Sequence, residues 1–293
     1  MLTTKGENME NKTTLEQMRT WFADTREIAQ NTQNTTVFDK DLNPVLEIAS
    51  DEDLEALVAY LSDKISEDLT SHEAYKMHAP KHSNYADLIA KEIRDMGGNS
   101  FANVWRGEGP SYHEIVCDAA DKMKVPYNKD RPIKDIENAI LETILTSALE
   151  HMTDEEKEEL LSEMGSKAGA SMGGIATATF ISIFRAGGFY SYQLTLIIAN
   201  QIAKVVLRRG LMLATNAGLM RAASVLTGPV GWAIAGLWTA IDIAGPAYKV
   251  TIPCVIHVAM LRKKLDSLHC SKCEAILPDI TMKFCPECGE AIQ

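Results

Sequence analysis

Apolar residues recur along the first half of the chain at intervals of three and four, and most of these stretches open on a residue suited to cap a helix. Thr14 with Gln17 reads as a capping box that opens a helix to about Gln30, with Leu15, Met18, Phe22 and Thr25 on one stripe. Residues 31–40 form an Asn/Thr-rich linker. Ser50 caps the next helix. Asp51, Glu52 and Asp53 fill its first turn, where negative charge meets the positive end of the helix dipole, and Leu54, Leu57, Val58 and Leu61 follow at helical spacing. Residues 70–83 read as a loop. Ser83 opens a helix that stops at Gly97-Gly98, a tight segment follows over 97–112, and Ser111 with Glu114 boxes the start of a helix to about Lys124. Pro132 suits the first position of a helix through Met152, with Ile136, Ile140, Ile144 and Leu145 apolar. Thr153 and Glu156 cap an acidic helix to Met164. No alternation demands a strand before residue 264, so the expected class is all-α, a helical bundle.

From Gly165 the pattern changes. Uncharged runs cover residues 168–184, 186–203 and 222–241, and residues 250–261 are apolar again before Arg262-Lys263-Lys264. A spanning helix needs about 20 apolar residues, with roughly 17–25 tolerated. The runs meet that length, although Gly, Ala, Ser and Thr replace much of the Leu and Ile. Gly169-x-x-x-Gly173 and Ala170-x-x-x-Gly174 carry the spacing that lets helices approach closely in lipid. The expectation is a membrane-associated helical block; a buried core of a soluble bundle is the alternative. Arg185 splits two runs and would be costly at mid-membrane unless it faced water or a partner. Lys204 and Arg208, four apart, share a helical face. With Asp242, the lone acid of the block, these are the candidate pore or helix-packing residues.

Charge sharpens the division. Residues 1–163 carry 34 acids and 17 bases, residues 164–261 one acid and seven bases, and residues 262–293 five of each. The expected segments are therefore an N-terminal extension (1–40), an acidic helical domain (41–164), the apolar block (165–264) and a small tail (265–293). Residues 1–20 lack the apolar stretch of a signal peptide. The cysteines do not form a secretory framework. Both features predict a protein in the cytoplasm or at the inner membrane, with its N-terminal domain and C-terminus on the cytoplasmic side.

The tail holds the most specific chemistry. Cys270-Ser-Lys-Cys273 is followed after eleven residues by Cys285-Pro-Glu-Cys288-Gly289. Each C-x-x-C turn can place two thiolates on one metal, and two turns complete a tetrahedral four-cysteine site. The pattern resembles a zinc ribbon with one structural Zn2+. Lys272 and Lys283 stand against Asp266, Glu274, Asp279, Glu287 and Glu290, a balance that disfavours phosphate and duplex DNA and favours a protein–protein role.

Elsewhere the segment 97–112 is the candidate ligand site. Gly107 and Gly109 permit close backbone approach, Arg106 supplies a planar cation, and Ser111 opens a helix N-terminus; together these could hold a phosphate, and Asn99 and Ser100 complete the candidate set. A sharp helix–helix connection is the plainer reading. His72, His78 and His82 lie in a solvated loop, and His257 reads as a satisfied buried histidine. No nucleophile–base pair, P-loop or HExxH is present, so an enzyme is not expected.

The segments IAKEIRDMGGNSFANVWRGEGPSYHEIVCDAADKMKV (89–125) and GPAYKVTIPCVIHVAMLRKK (245–264) resemble the YaaW-like family of uncharacterised bacterial proteins over roughly residues 41–264. That family includes a segment compared with ubiquinol–cytochrome c chaperones. It is also similar to the membrane-channel effector of Hailong-type anti-phage defence, which an oligonucleotide signal holds inactive. The resemblance implies two functions. One is a homo-oligomeric, channel-like membrane effector restrained by its acidic domain or by a nucleotide or oligonucleotide ligand. The other is a soluble helical assembly chaperone or adaptor.

Overall fold

The computed structural model describes residues 37–62, 68–97, 109–164, 177–208, 236, 247–273, 275–277 and 282–292. The chain divides into two units, residues 1–38 and 39–293, and all that follows concerns the second. The helix expected over 14–30 lies outside the described residues.

The elements are helices α1 (Asn43–Glu47), α2 (Asp51–Ser62), α3 (Asp68–Ser71), α4 (Glu73–His78), a 3₁₀ turn at His82–Tyr85, α5 (Ala86–Gly97), α6 (Tyr112–Lys122), α7 (Ile133–Glu150), α8 (Asp154–Glu163), α9 (Thr177–Ala186), α10 (Gly188–Leu207) and α11 (Tyr248–Leu265). Among the described residues the only β structure is two isolated bridges in the tail. Two of the predicted capping boxes form as expected. Ser111 and Glu114 close a reciprocal box at α6, and Thr153 and Glu156 do the same at α8. The stretch 70–83 departs from the loop expectation, because the ring of His72 accepts from the Ala74 amide and caps α4. Ser83 does not open α5. It sits inside the 3₁₀ turn and donates its amide to the Asp51 carboxylate, 2.8 Å away.

Helix α11 occupies the centre and packs against α1, α2, α5, α6, α7 and α10. Every residue from Val250 to Leu261 is buried. A helix that is apolar all round must be covered all round, and here other helices of the chain cover it. Helix α10 buries the unbroken stretch Ser191–Ala199. Apolar side chains from Leu42 to Leu261 join one core, so helices on both sides of residue 165 share a single interior.

That interior corrects the membrane expectation. Among the described residues no helix is long and apolar enough to cross a membrane, and the inner-membrane location is withdrawn. The run 186–203 breaks at once in a turn at Gly187-Gly188, both with positive φ. Most of its remaining apolar surface is spent on protein neighbours. The bases that follow the last apolar run have protein partners: Arg262 on Glu137, Lys263 on the Ser191 hydroxyl and over the Phe184 ring, and Lys264 on Asp53. Gly169, Gly173, Gly174 and Asp242 lie outside the described residues.

Candidate functional site

The tail folds as two knuckles related by a fifteen-residue shift. Cys270 donates its amide to the Ala275 carbonyl (2.9 Å) and Cys285 to that of Glu290 (2.7 Å). Leu277 closes the first knuckle on Leu268 (2.7 Å) and Ile292 the second on Lys283 (3.0 Å). The bridges His269–Ile276 and Phe284–Ala291 keep the same shift. Gly289 turns the second knuckle at φ +72°, a left-handed conformation that a side chain disfavours.

The two turns bring the Sγ atoms of Cys270, Cys273, Cys285 and Cys288 within 4.8 Å of one another. Two cross-knuckle pairs, Cys270–Cys288 and Cys273–Cys285, are each 3.7 Å apart. Thiolates bonded at about 2.3 Å to a tetrahedral ion stand roughly 3.8 Å apart, so the spacing fits such an ion. Amides of Cys273 and Lys272 lower the Cys270 pKa to about 6, while the pKa values of Cys273 and Cys288 are raised, with neighbouring thiols among the causes, as close sulfurs competing for negative charge should be. The four cysteines predicted as ligands therefore come together and could hold a metal such as zinc. Across the module Lys272 pairs with Glu290 at 2.9 Å.

Short contacts tie the start of the tail to α11 and α7. The Ser267 hydroxyl donates to the Lys263 carbonyl (2.8 Å), the His269 Nε2–H donates to the Lys264 carbonyl (2.7 Å), and Asp266 pairs with Lys134 (2.5 Å).

Inside the helical body the end of α11 enters a polar network. Arg262 donates from Nε to Glu137 (2.8 Å) and from Nη2 to the Asp41 carbonyl (2.6 Å), and the Tyr112 hydroxyl donates to Glu137 (3.0 Å). Burial raises the Glu137 pKa, and Arg262 opposes that rise. Burial would lower the Arg262 pKa, but Glu137 holds it above its ordinary value. Nearby, Asp39 accepts from the Tyr112 amide (2.8 Å), and Arg94 donates to the carbonyls of Pro110 (2.9 Å) and Gly109 (3.0 Å). His257 donates from Nε2 to the Asp53 carbonyl (2.7 Å), and burial lowers its pKa to about 4, so it is neutral near pH 7. Its other nitrogen has no partner among the described residues.

The remaining candidates separate. Asn99, Ser100, Arg106 and Gly107 lie outside the described residues. Gly109 is packed tightly: a Cβ there would lie 2.5 Å from the carbonyl carbon and oxygen of Arg94. The Ser111 hydroxyl accepts from the Glu114 amide as the α6 cap. Arg185, a candidate pore or helix-packing residue, pairs with Glu142 at Nε–Oε2 2.8 Å on an exposed surface. Lys204 and Arg208 are exposed at the end of α10. His82 is buried in the 3₁₀ turn, where one nitrogen meets the Tyr85 hydroxyl and the other meets Glu55 at 2.8 Å. Sequence reasoning missed Asp53, Glu137 and Arg94. The available signal was a lone charge on an otherwise apolar face, as with Glu137 beside Ile136 and Ile140.

A model of the family described as ubiquinol-cytochrome C chaperone matches residues 81–265, well over half of the chain. The chain belongs to this family. The family match ends at the last residue of α11, so it includes Arg94, Tyr112, Glu137, His257, Arg262 and Lys264, while the four cysteines lie beyond it. Curated relatives of the chain include a UPF0174 protein of Helicobacter pylori strain J99, 46% identical over 238 residues, which are 79% of this chain and 94% of the relative. A second, from Helicobacter pylori strain ATCC 700392, is 37% identical over 208 residues and is covered in full. The UPF0174 protein YaaW of Escherichia coli K12 is 28% identical over 207 residues, covering 70% of this chain and 83% of that protein. The YaaW-like resemblance is thus supported. The further likeness to a Hailong-type defence effector finds no support among these relatives. No solved structure matches the chain.

Proposed function

We propose that the protein is a helical assembly chaperone or adaptor that binds a partner polypeptide without a catalytic step and carries one structural zinc in its tail. The observation that supports the reading best is the extent of the family match, from residue 81 to the end of the central helix, in a family described as chaperones. A body that keeps its apolar helices inside is consistent with it. Neither the channel nor the defence reading has a supporting observation among the described residues. For the tail, four protein thiolates leave no open coordination position, so the metal has a structural role.

The test is a deletion strain. Native electrophoresis with quantitative mass spectrometry would compare assembled complexes with their free subunits. One complex should lose its assembled form while its subunits accumulate or are degraded, and re-expression should restore it. A strain in which every complex assembles at the parental level overturns the reading.

A further inference from the structure

A cleft of about 380 Å³ lies where the α1–α2 corner meets the end of α11, lined by Ile48, Ala49, Ser50, Asp53, Leu261, Lys264, Leu265 and His269. His269 belongs to the first knuckle, so the metal module supplies part of one wall. The volume sits at the lower end of the roughly 300–1,000 Å³ typical of ligand sites. Large apolar side chains remain uncovered at this place: Ile48 is 65% exposed, Leu265 37%, and Leu268, beside His269 in sequence, 43%. Ile48 and Leu265, two of the exposed large hydrophobics of the described residues, both line this concavity, and Leu268 precedes its lining residue His269.

The charges at the cleft are uneven. Its own cation, Lys264, is already held by Asp53 at 2.6 Å. Glu47 and Glu52, just before and after the lining segment 48–50, are exposed, and neither has an ion-pair partner among the described residues. A cleft half lined by apolar residues, with Lys264 neutralised by Asp53 and the carboxylates of Glu47 and Glu52 on neighbouring exposed positions, favours an apolar side chain flanked by positive charge. It repels an acidic segment.

We infer that this cleft is the docking site for a partner-protein segment in which large aliphatic side chains alternate with lysine or arginine. The inference rests on the chaperone or adaptor reading and names the segment that such a protein would hold. Aliphatic side chains enter against Ile48, Leu261 and Leu265, and the flanking cations meet Glu47 and Glu52.

The probe is a fluorescein-labelled amphipathic Leu/Lys peptide titrated into the full-length protein, beside a Leu/Glu peptide of the same pattern and a Ser/Lys peptide of the same charge. The Leu/Lys peptide should bind at least tenfold more tightly than either control. Ile48→Asn, at an exposed position, should weaken binding about tenfold, and so should Glu47→Gln with Glu52→Gln. Glu158→Gln with Glu159→Gln, on the remote exposed face of α8, should leave it unchanged. Equal effects of the two acid pairs, or no effect of Ile48→Asn in a variant with the parental melting temperature, overturn the proposal. Sedimentation in the absence of peptide adds another arm: a dimer abolished by Ile48→Asn shows that a second copy fills the cleft, which also overturns it. Re-expressing Ile48→Asn in the deletion strain separates the two claims. Full rescue of assembly removes the cleft while leaving the chaperone reading intact, whereas a deletion strain with no assembly defect removes the chaperone reading itself.

Discussion

The guanidinium of Arg262 meets the carboxylate of Glu137 at 2.8 Å across 125 residues of sequence, and Glu137 is only 2% exposed. This contact joins the end of α11 to the second turn of α7, and the Tyr112 hydroxyl completes it. Removing one partner leaves the other charged or polar and buried, a change that costs about 3–5 kcal/mol. Arg262→Ala should therefore lower unfolding stability by that order. Glu137→Leu combined with Arg262→Met should recover most of the loss. Urea unfolding followed by circular dichroism measures both, and a single variant as stable as the parent would refute the role given to the pair.

Acid should act through His257. Its folded pKa of about 4 lies below the ordinary value of 6.5, so between these values the unfolded chain binds a proton that the folded chain refuses. Stability therefore rises with pH across that window and falls as pH drops from 6.5 toward 4, by about 3 kcal/mol for this group. His257→Gln, which keeps a donor for the Asp53 carbonyl, should flatten that part of the profile. Unfolding free energies of both proteins at pH 4.5 and 7.5 check it: an equal slope in the two rules out His257 as the source.

Metal content separates the tail from the body. Protein purified without chelator should contain one zinc per chain. Cys285→Ser should lose most of it and loosen residues 265–293, while the helical signal and the main unfolding transition stay near the parental values. Emission spectrometry of the metal, with amide exchange over the tail, decides the matter.

Gly109 provides a steric test. Its Cα faces the Arg94 backbone too closely for a methyl group, and backbone cannot swing aside as a side chain can. Gly109→Ala should cost about 1–3 kcal/mol, the usual penalty of overpacking, and should do so with no ligand present. A neutral Gly109→Ala in thermal unfolding would show that the 109–111 connection is not held against α5.

Much of this architecture was legible in sequence because its signals are local. Capping boxes at Ser111 and Thr153, the charged first turn of α2 and the paired C-x-x-C turns depend on residues a few positions apart. What covers an apolar helix is not local. The run 250–261 reads the same whether lipid or protein surrounds it, and only the positions of α2, α6, α7 and α10 decide. The long-range partners of Arg262 and Lys264 were hidden for the same reason. A basic triplet after an apolar run fits a membrane edge, and its true acids lie 125 and 211 residues upstream. Arg185 was conspicuous for splitting two runs, yet its partner Glu142 belongs to a different helix.

The helix at the centre of the core is also the last of the described helices to be made. While the ribosome works toward residue 265, α2, α6, α7 and α10 have already emerged with the faces that α11 will cover still open to water. At about 5–20 residues per second, several seconds separate the completion of α7 from the arrival of its central partner. The nascent chain therefore spends that interval as an unfinished shell, sticky on the inside, and closure awaits the synthesis of α11. A polypeptide proposed to shelter unassembled partners thus passes through a stage in which it needs shelter itself.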